Sequence, residues 1–322
     1  MKACFFDGIL KFGDVPEPVP AEGEVLIRVL VSAICNTDLE IVKGYMGFTG
    51  TLGHEFVGEV VSKSSSLCGK KVVGEINCAC GKCYLCTSGR ETHCPTRKVL
   101  GIFNHDGAFA EYVTLPEKNL HVVPESLSPE SAVFTEPLAA ALEIFQQVTV
   151  LPGQNVFIFG AGKLGLLIAS VFHLKGFDYK LLTRSDSKVN KALSIGLKAE
   201  KLESLVNSAK AEICVDCTGN PEGVTLALSH LYPGGKLILK TTVAEPAKLD
   251  LNELVINEFT LFGSRCGPFA PALDLLNQGL VDPAPLVTKI FSFSDILNAF
   301  KAASMPENIK ILIDHRVQPV GF

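Results

Sequence analysis

The chain has 322 residues, 47% of them hydrophobic and 20% charged, with a formal net charge of −5. That length suggests two domains or one large one, and the composition excludes disorder over most of it while allowing a core that needs no disulfide staples. The mild acidity leaves no basic footprint for nucleic acid or an anionic membrane, and no block of like charge stands out.

Neither end reads as an address. MKACFFDGIL meets Asp7 almost at once, unlike a secretory leader, and QPVGF at 318–322 matches no targeting signal. The apolar run Leu164–Leu174 is interrupted by His173 and is too short to span a bilayer. The expected setting is cytoplasmic, with no membrane and no nucleic-acid partner.

Up to residue 125 the chain shows short β-like runs: EVLIRVLVSAI (Glu24–Ile34), GEVV (58–61), KKVVGEI (70–76) and FAEYVTL (109–115). VPEPVPAEG, SKSSS and a cysteine-rich segment break them, which predicts a compact β-rich domain. After Pro124 the texture changes. Ser128 as a cap with Pro129 at the first helical position starts a helix. From Asn155 onward strand and helix patterns alternate: NVFIFG, then KLGLLIASVFHLKG, then YKLLT, then EICVDCTG, PEGVTLALSHL, GGKLILKTT and TLFGS. Such alternation predicts βαβ units and a parallel sheet, so the fold class is α/β. FAPALDLLNQGL and FSFSDILNAFKAASM read as closing helices, and KILID (310–314) as a late strand that rejoins the first domain.

GAGKLG supplies Gly160, Ala161, Gly162, Lys163, Leu164 and Gly165 directly after a predicted strand and at the start of an apolar helix. That context makes G-x-G-x-x-G a dinucleotide site: one glycine for the tight turn, one for close approach of pyrophosphate, one for strand–helix packing. The next strand ends in Thr183, Arg184 and Ser185, with Lys188 beyond, instead of an acid that would take the ribose 2′-hydroxyl. Arg184 suits a 2′-phosphate, which favours NADP(H) over NAD(H). The alternative is a solvated Arg184 and use of NAD.

Five of the eleven cysteines fall between Cys78 and Cys94. Cys80, Cys83, Cys86 and Cys94 stand at C-x2-C-x2-C-x7-C, the spacing of a closed, structural four-thiolate Zn²⁺ site, with Cys78 as a non-ligating extra. An iron–sulfur cluster or disulfides are the alternatives. A second set is scattered: Cys35 in ICNTD, His54 and Glu55 in LGHEFVGEV, Glu136 in FTEPLAAAL. Singly, each reads as packing, a core histidine or a helix-start acid. Together they offer the three protein ligands that an open, catalytic zinc site requires.

With these motifs in order, and with VDCTG and DGAFAEYVTLP between and after them, the chain resembles the zinc-containing medium-chain dehydrogenase/reductases, the alcohol and polyol dehydrogenase family. The resemblance implies a GroES-like β-rich catalytic domain (1–137 and 288–322) and a Rossmann domain (138–287), with the active site in the cleft between them. It implies Cys35, His54 and Glu136 as catalytic zinc ligands and Glu55 as an exchanging fourth. It gives Asp38 the task of orienting His54, and Thr37 that of taking the substrate proton. A carboxylate at 136 resembles the polyol branch. Glu40 stands where many relatives carry a proton-relay histidine, and Lys310 is expected to reach the cofactor phosphates. The loop YMGFTGT (45–51), with Phe48, Phe103 and Leu261, is expected to shape the substrate pocket. The implied activity is zinc-dependent hydride transfer between an alcohol or polyol and a nicotinamide cofactor, in a homodimer or homotetramer paired through LFGSRCG (261–267). The alternatives are a zinc-independent enone or quinone reductase, and a non-enzymatic nucleotide-binding protein on the same fold.

Overall fold

Alternating burial builds the first strands. In the computed structural model, which describes residues 1–316 apart from 207 and 246, β1 (Lys2–Phe6) turns back into β2 (Leu10–Asp14) as an antiparallel hairpin with Cys4 and Phe6 inward. QPVGF lies outside the described residues. β3 (Glu24–Ala33) buries Val25, Ile27, Val29 and Val31, the period-two signature of a strand with one face on a core. It runs into α1 (Asn36–Val42). β4 (Gly50–Thr51), β5 (Glu55–Val60) and β6 (Lys71–Gly74) follow. The two-residue strands β7 (Asn77–Cys78) and β8 (Lys98–Val99) pair across the cysteine-rich segment and its short helix α2 (Tyr84–Thr87). Then come β9 (Tyr112–Pro116), β10 (Leu120–Val122) and α3 (Pro129–Ala132), whose cap hydroxyl on Ser128 accepts the Ser131 N–H at 3.2 Å.

α4 (Thr135–Gln147) leads into a second unit: β11 (Val156–Phe159), α5 (Lys163–Leu174), β12 (Tyr179–Thr183), α6 (Asp186–Ser194), β13 (Ala199–Lys201), β14 (Ala211–Asp216), α7 (Gly223–Ser229), β15 (Leu231–Leu239), α8 (Leu251–Ile256), β16 (Thr260–Gly263) and α9 (Phe269–Asn277). Its strands form one parallel sheet in the order β13-β12-β11-β14-β15-β16. Every residue of β11 is buried, as expected of a central strand covered on both faces. Chain order reverses between β11 and β14, and in such sheets ligands bind beyond the carboxyl ends of the strands at the reversal. GAGKLG begins there.

The chain then returns. β17 (Val287–Ser292), α10 (Ile296–Ala303) and β18 (Lys310–Asp314) join the first unit: β18 pairs antiparallel with β3 and parallel with β17, within a sheet ordered β10-β6-β5-β3-β18-β17 to which β9 adds on β3. Their apolar faces close a core with Ile34, Ile41, Phe48 and Leu52, where Phe109 meets Phe300 edge-on at 5.7 Å. Each such buried side chain contributes about 1.5–3 kcal/mol. The chain thus divides into Met1–Glu136 with the segment from Asp282 onward, and Pro137–Val281. Among the described residues no helix is long and apolar enough to cross a membrane.

Candidate active site

Cys35 follows β3 directly and caps α1. The cap is closed by Asp38, whose Oδ2 accepts the Cys35 N–H at 2.8 Å, the three-residue reach of a capping box. Asp38 Oδ1 lies 3.2 Å from His54 Nδ1. One fully buried carboxylate therefore holds the Cys35 backbone and stands against the His54 ring, the position from which a carboxylate orients a metal-binding imidazole. Glu55 opens β5 opposite Ala33, so strand pairing sets His54 and Glu55 beside the Cys35 turn. The ligand atoms of Cys35, His54 and Glu55 lie within 4.8 Å of one another. Thr37 Oγ1 stands 3.7 Å from Cys35 Sγ.

A thiolate, an imidazole and a carboxylate form a zinc-type donor set. Glu55 Oε1 is buried with no hydrogen-bond partner, a vacancy that a cation would satisfy. The residues present therefore fit an ion. Burial opposes charge on the His54 ring, but the Asp38 carboxylate and the Cys35 sulfur outweigh it and hold its pKa well above the ordinary 6.5. Without an ion the ring keeps a proton that metal must displace, so metal binding weakens as pH falls. Dialysis at about pH 5.5 instead of about pH 8 is expected to strip zinc from this site first; equal zinc contents at both would reject that order.

Two residues stand elsewhere than expected. Glu136, half-buried in the first turn of α4, is not one of the three clustered donors. Lys310, expected at the cofactor phosphates, is 1% exposed and ion-paired through Nζ with Glu55 Oε2, with the Phe134 ring 5.8 Å away. A buried ammonium must have a counter-charge, and Glu55 is the one in reach. No sequence signal links positions 255 residues apart.

In the cysteine-rich segment the four sulfurs of Cys80, Cys83, Cys86 and Cys94 gather with separations of 3.4–3.9 Å. A tetrahedral zinc with bonds of about 2.3 Å needs sulfurs about 3.8 Å apart, whereas a disulfide needs about 2.05 Å. The fit is to metal. The Lys82 and Cys83 N–H groups reach the Cys80 sulfur and bring its thiol down to about 6, favouring the thiolate a metal takes. Cys78 stays outside the group, half-buried, its thiol pushed up to about 12 by burial.

At the end of β11, Gly160 adopts φ +105°, and a Cβ on Gly165 would fall 1.8 Å from the Gly160 carbonyl oxygen. A Cβ on Gly162 would meet no described atom within 4 Å. The first and last glycines are thus required by the fold itself, while the middle one leaves room at the N-terminus of α5, where a phosphate is held by N–H groups and the helix dipole. Ala161, Lys163 and Leu164 complete this turn. Sequence reading missed a supporting residue: the Cys217 thiol donates to the carbonyls of Phe159 at 3.1 Å and Gly160 at 3.4 Å, backing the turn from the end of β14. Beyond β12, Thr183 Oγ1 accepts the Ser185 N–H, and Ser185 caps α6 by accepting the Lys188 N–H. Arg184 is exposed, and the nearby acid Asp186 is ion-paired with Lys201 at 3.1 Å.

Residues 21–125 match the family described as alcohol dehydrogenase GroES-like domain. A sorbitol dehydrogenase of Halalkalibacterium halodurans is 29% identical over 92% of this chain and 93% of its own. An L-threonine 3-dehydrogenase of Streptomyces coelicolor is 31% identical over 95% and 96%. Among solved structures, a short chain alcohol dehydrogenase (rspB) from E. coli CFT073, complexed with the cofactor NADH, superposes with a TM-score of 0.88 at 26% identity, covering 98% of this chain and 99% of that one.

Proposed function

The chain belongs to the zinc-containing medium-chain dehydrogenase/reductase family, and on that footing we propose that it is a zinc-dependent, NAD(P)-linked dehydrogenase that interconverts a polyol or amino alcohol and its carbonyl counterpart. The observation that carries this reading is the meeting of Cys35, His54 and Glu55 within 4.8 Å in a chain that also holds the GAGKLG turn. The sorbitol and threonine named for its relatives both carry a hydroxyl next to another polar group, which supports the substrate class. Retention of the donor set speaks against a zinc-independent reductase, and no observation favours a purely nucleotide-binding role.

When bound, zinc supplies Lewis-acid polarisation of the alcohol oxygen, and the dinucleotide supplies the hydride acceptor. Cys35, His54 and Glu55 hold the ion, with Glu136 as the carboxylate recruited on binding, and Asp38 keeps the His54 ring in place. Thr37, beside Cys35, accepts the substrate's hydroxyl proton. The second ion, on Cys80, Cys83, Cys86 and Cys94, is structural. The GAGKLG turn and the α5 N-terminus seat the pyrophosphate. Arg184, with Thr183, Ser185 and Lys188 around it, takes the 2′-phosphate of NADP(H).

Eleven cysteines, with two thiolate-bearing metal sites among them, support a reducing, cytoplasmic setting. β16 ends its sheet with one edge open, and α8 just before it exposes Leu251, Val255 and Ile256. Both features support a homodimer, or a homotetramer built from it, paired along that edge; a monomer by light scattering would reject the pairing.

The test is a spectrophotometric panel of polyols, amino alcohols and simple alcohols with NADP⁺ and NAD⁺ in parallel, on zinc-loaded protein. At least one polyol or amino alcohol is expected to turn over, faster with NADP⁺, and Arg184→Asp should reverse the cofactor preference by about tenfold or more. No turnover across the panel rejects the dehydrogenase reading. Faster turnover of the wild type with NAD⁺, the cofactor of the E. coli neighbour in reduced form, rejects the cofactor assignment.

A further inference from the structure

Lysine is rarely shut away from water, yet Lys240 is 9% exposed. It follows β15 directly, and its backbone N–H donates to the Asp216 carbonyl at 2.8 Å, one step beyond the strand. Its Nζ donates to two carbonyls, that of Ala140 in α4 at 2.5 Å and that of Arg265 just past β16 at 3.4 Å. The next residue, Thr241, reaches the opposite neighbour: its Oγ1 accepts the Gly219 N–H, in the turn after β14, at 3.1 Å. The end of β15 therefore grips the segments that leave the strands on both sides of it.

We propose that Lys240 and Thr241 are positioning residues for the nicotinamide half of the dinucleotide, fixing the two backbone segments, 217–220 and 264–267, on which the ring and its ribose rest; this depends on the dehydrogenase reading. The crevice of such a sheet has two halves. GAGKLG, at the reversal between β11 and β14, seats the pyrophosphate, and Arg184 beyond β12 takes the adenosine side. The rest of the molecule must then run over the carboxyl ends of β14, β15 and β16, where Lys240 and Thr241 stand.

Both segments are stiffened by the fold. In the first, Asp216 Oδ1 accepts the N–H and the hydroxyl of Thr218 at 3.0 and 2.8 Å, and Thr218 Oγ1 accepts the Asn220 N–H at 3.2 Å. In the second, Gln147 donates to the Gly263 carbonyl at 3.2 Å and Lys240 to that of Arg265. A Cβ on Gly267 would fall 1.9 Å from the Ala139 carbonyl oxygen, so backbone there lies against α4. Alternate residues from 263 to 267 are thereby fixed. Within this stretch the Ser264 hydroxyl is buried with no hydrogen-bond partner among the described residues, a polar group of the kind that a ligand's amide completes. An ammonium suits the fastening because it offers several N–H donors on a long stem, and burying it costs free energy unless such acceptors meet it. Stiffness matters because a misplacement of about 1 Å costs on the order of 100-fold in rate.

The experiment measures, by calorimetry on zinc-loaded protein, the binding of NADPH and of 2′-phospho-ADP-ribose, the same molecule without its nicotinamide. Wild type, Lys240→Met and Thr241→Val are compared, with NADH and ADP-ribose in place of these ligands if the wild type prefers NAD. Lys240→Met is expected to lose about tenfold in NADPH affinity and Thr241→Val about fivefold, the scale of single hydrogen bonds, while both bind the nicotinamide-free ligand within about twofold of wild type. Equal weakening of the two ligands would overturn the proposal, because the residues would then merely support the sheet; so would unchanged NADPH binding. If Lys240→Met does not fold, Thr241→Val decides by the same comparison. A wild type that binds neither NADPH nor NADH removes the dehydrogenase reading itself, whereas a wild type that binds one, with variants that lose nothing, removes the positioning role alone.

Discussion

Lys310→Met is expected to destabilise the metal-free protein by about 3–5 kcal/mol, the usual consequence of removing one partner of a buried ion pair. Lys310 and Glu55 are 1% and 0% exposed and begin β18 and β5, strands that flank β3 on either side. Ala33 of β3 pairs with Glu55 on one side and with Leu312, two residues past Lys310, on the other, so both strand starts lie at the same end of β3. Without the ammonium the Glu55 carboxylate loses its ion-pair partner, and the protonated His54 ring near it is already held by Asp38. Replacing both ends, as in Glu55→Gln with Lys310→Met, removes the buried charge altogether and is expected to recover most of the loss. Urea unfolding of chelator-treated protein reads both variants. A single variant within about 1 kcal/mol of wild type, or a double variant no more stable than the single, would show that the pair does not carry this burden. Zinc should shrink the effect, because the ion supplies the missing positive charge.

That pair also marks where sequence stops being informative. Local signals placed several elements well: Ser128 and Pro129 start α3, YKLLT is β12 and KILID is β18. Such elements carry their own caps or an unbroken β-prone run. Glu55 illustrates the opposite case. The reading began that strand at 58, whereas β5 starts at Glu55, since a His–Glu step resembles a loop until partners across the fold bury it. The β1–β2 hairpin escaped notice because KACFF and LKFGD are short and only half patterned. Contacts from far along the chain, such as Phe293 meeting the Phe12 ring edge-on at 5.1 Å, settle it. A lysine at a strand start is read as exposed by default, which sent Lys310 to the wrong partner. Spacing could gather Cys35 and His54 with a carboxylate, yet could not rank Glu55 against Glu136. Cys217 carried no signal of its own, because its two carbonyl acceptors lie 57 and 58 residues away.

Cys94→Ser is expected to remove one zinc per chain and to unfold the segment between Cys78 and Lys98 while leaving the large sheet of that unit standing. The lobe has almost no core of its own. Its ladder, β7 with β8, is two residues long on each side, and Tyr84, its largest side chain, is 76% exposed. Cys86 and Cys94, the latter fully buried, are what it keeps inside. Metal binding is then the main favourable term in its folding, and structural zinc sites supply on the order of 10–16 kcal/mol. Serine keeps the shape of Cys94 but is a poor zinc ligand, and the other three sulfurs, 3.4–3.9 Å apart around it, lose the charge that gathered them. Lys82 and Arg90 are already exposed within the lobe, so trypsin should cut there far faster in the variant than in wild type. Strands β3, β5 and β18, anchored by the Phe109 and Phe300 core, should resist under the same conditions. Zinc analysis and limited trypsin digestion decide the matter together. A variant that keeps its full zinc, or that loses one ion without any gain in cleavage at Lys82 and Arg90, would mean that the lobe is held by contacts other than its metal.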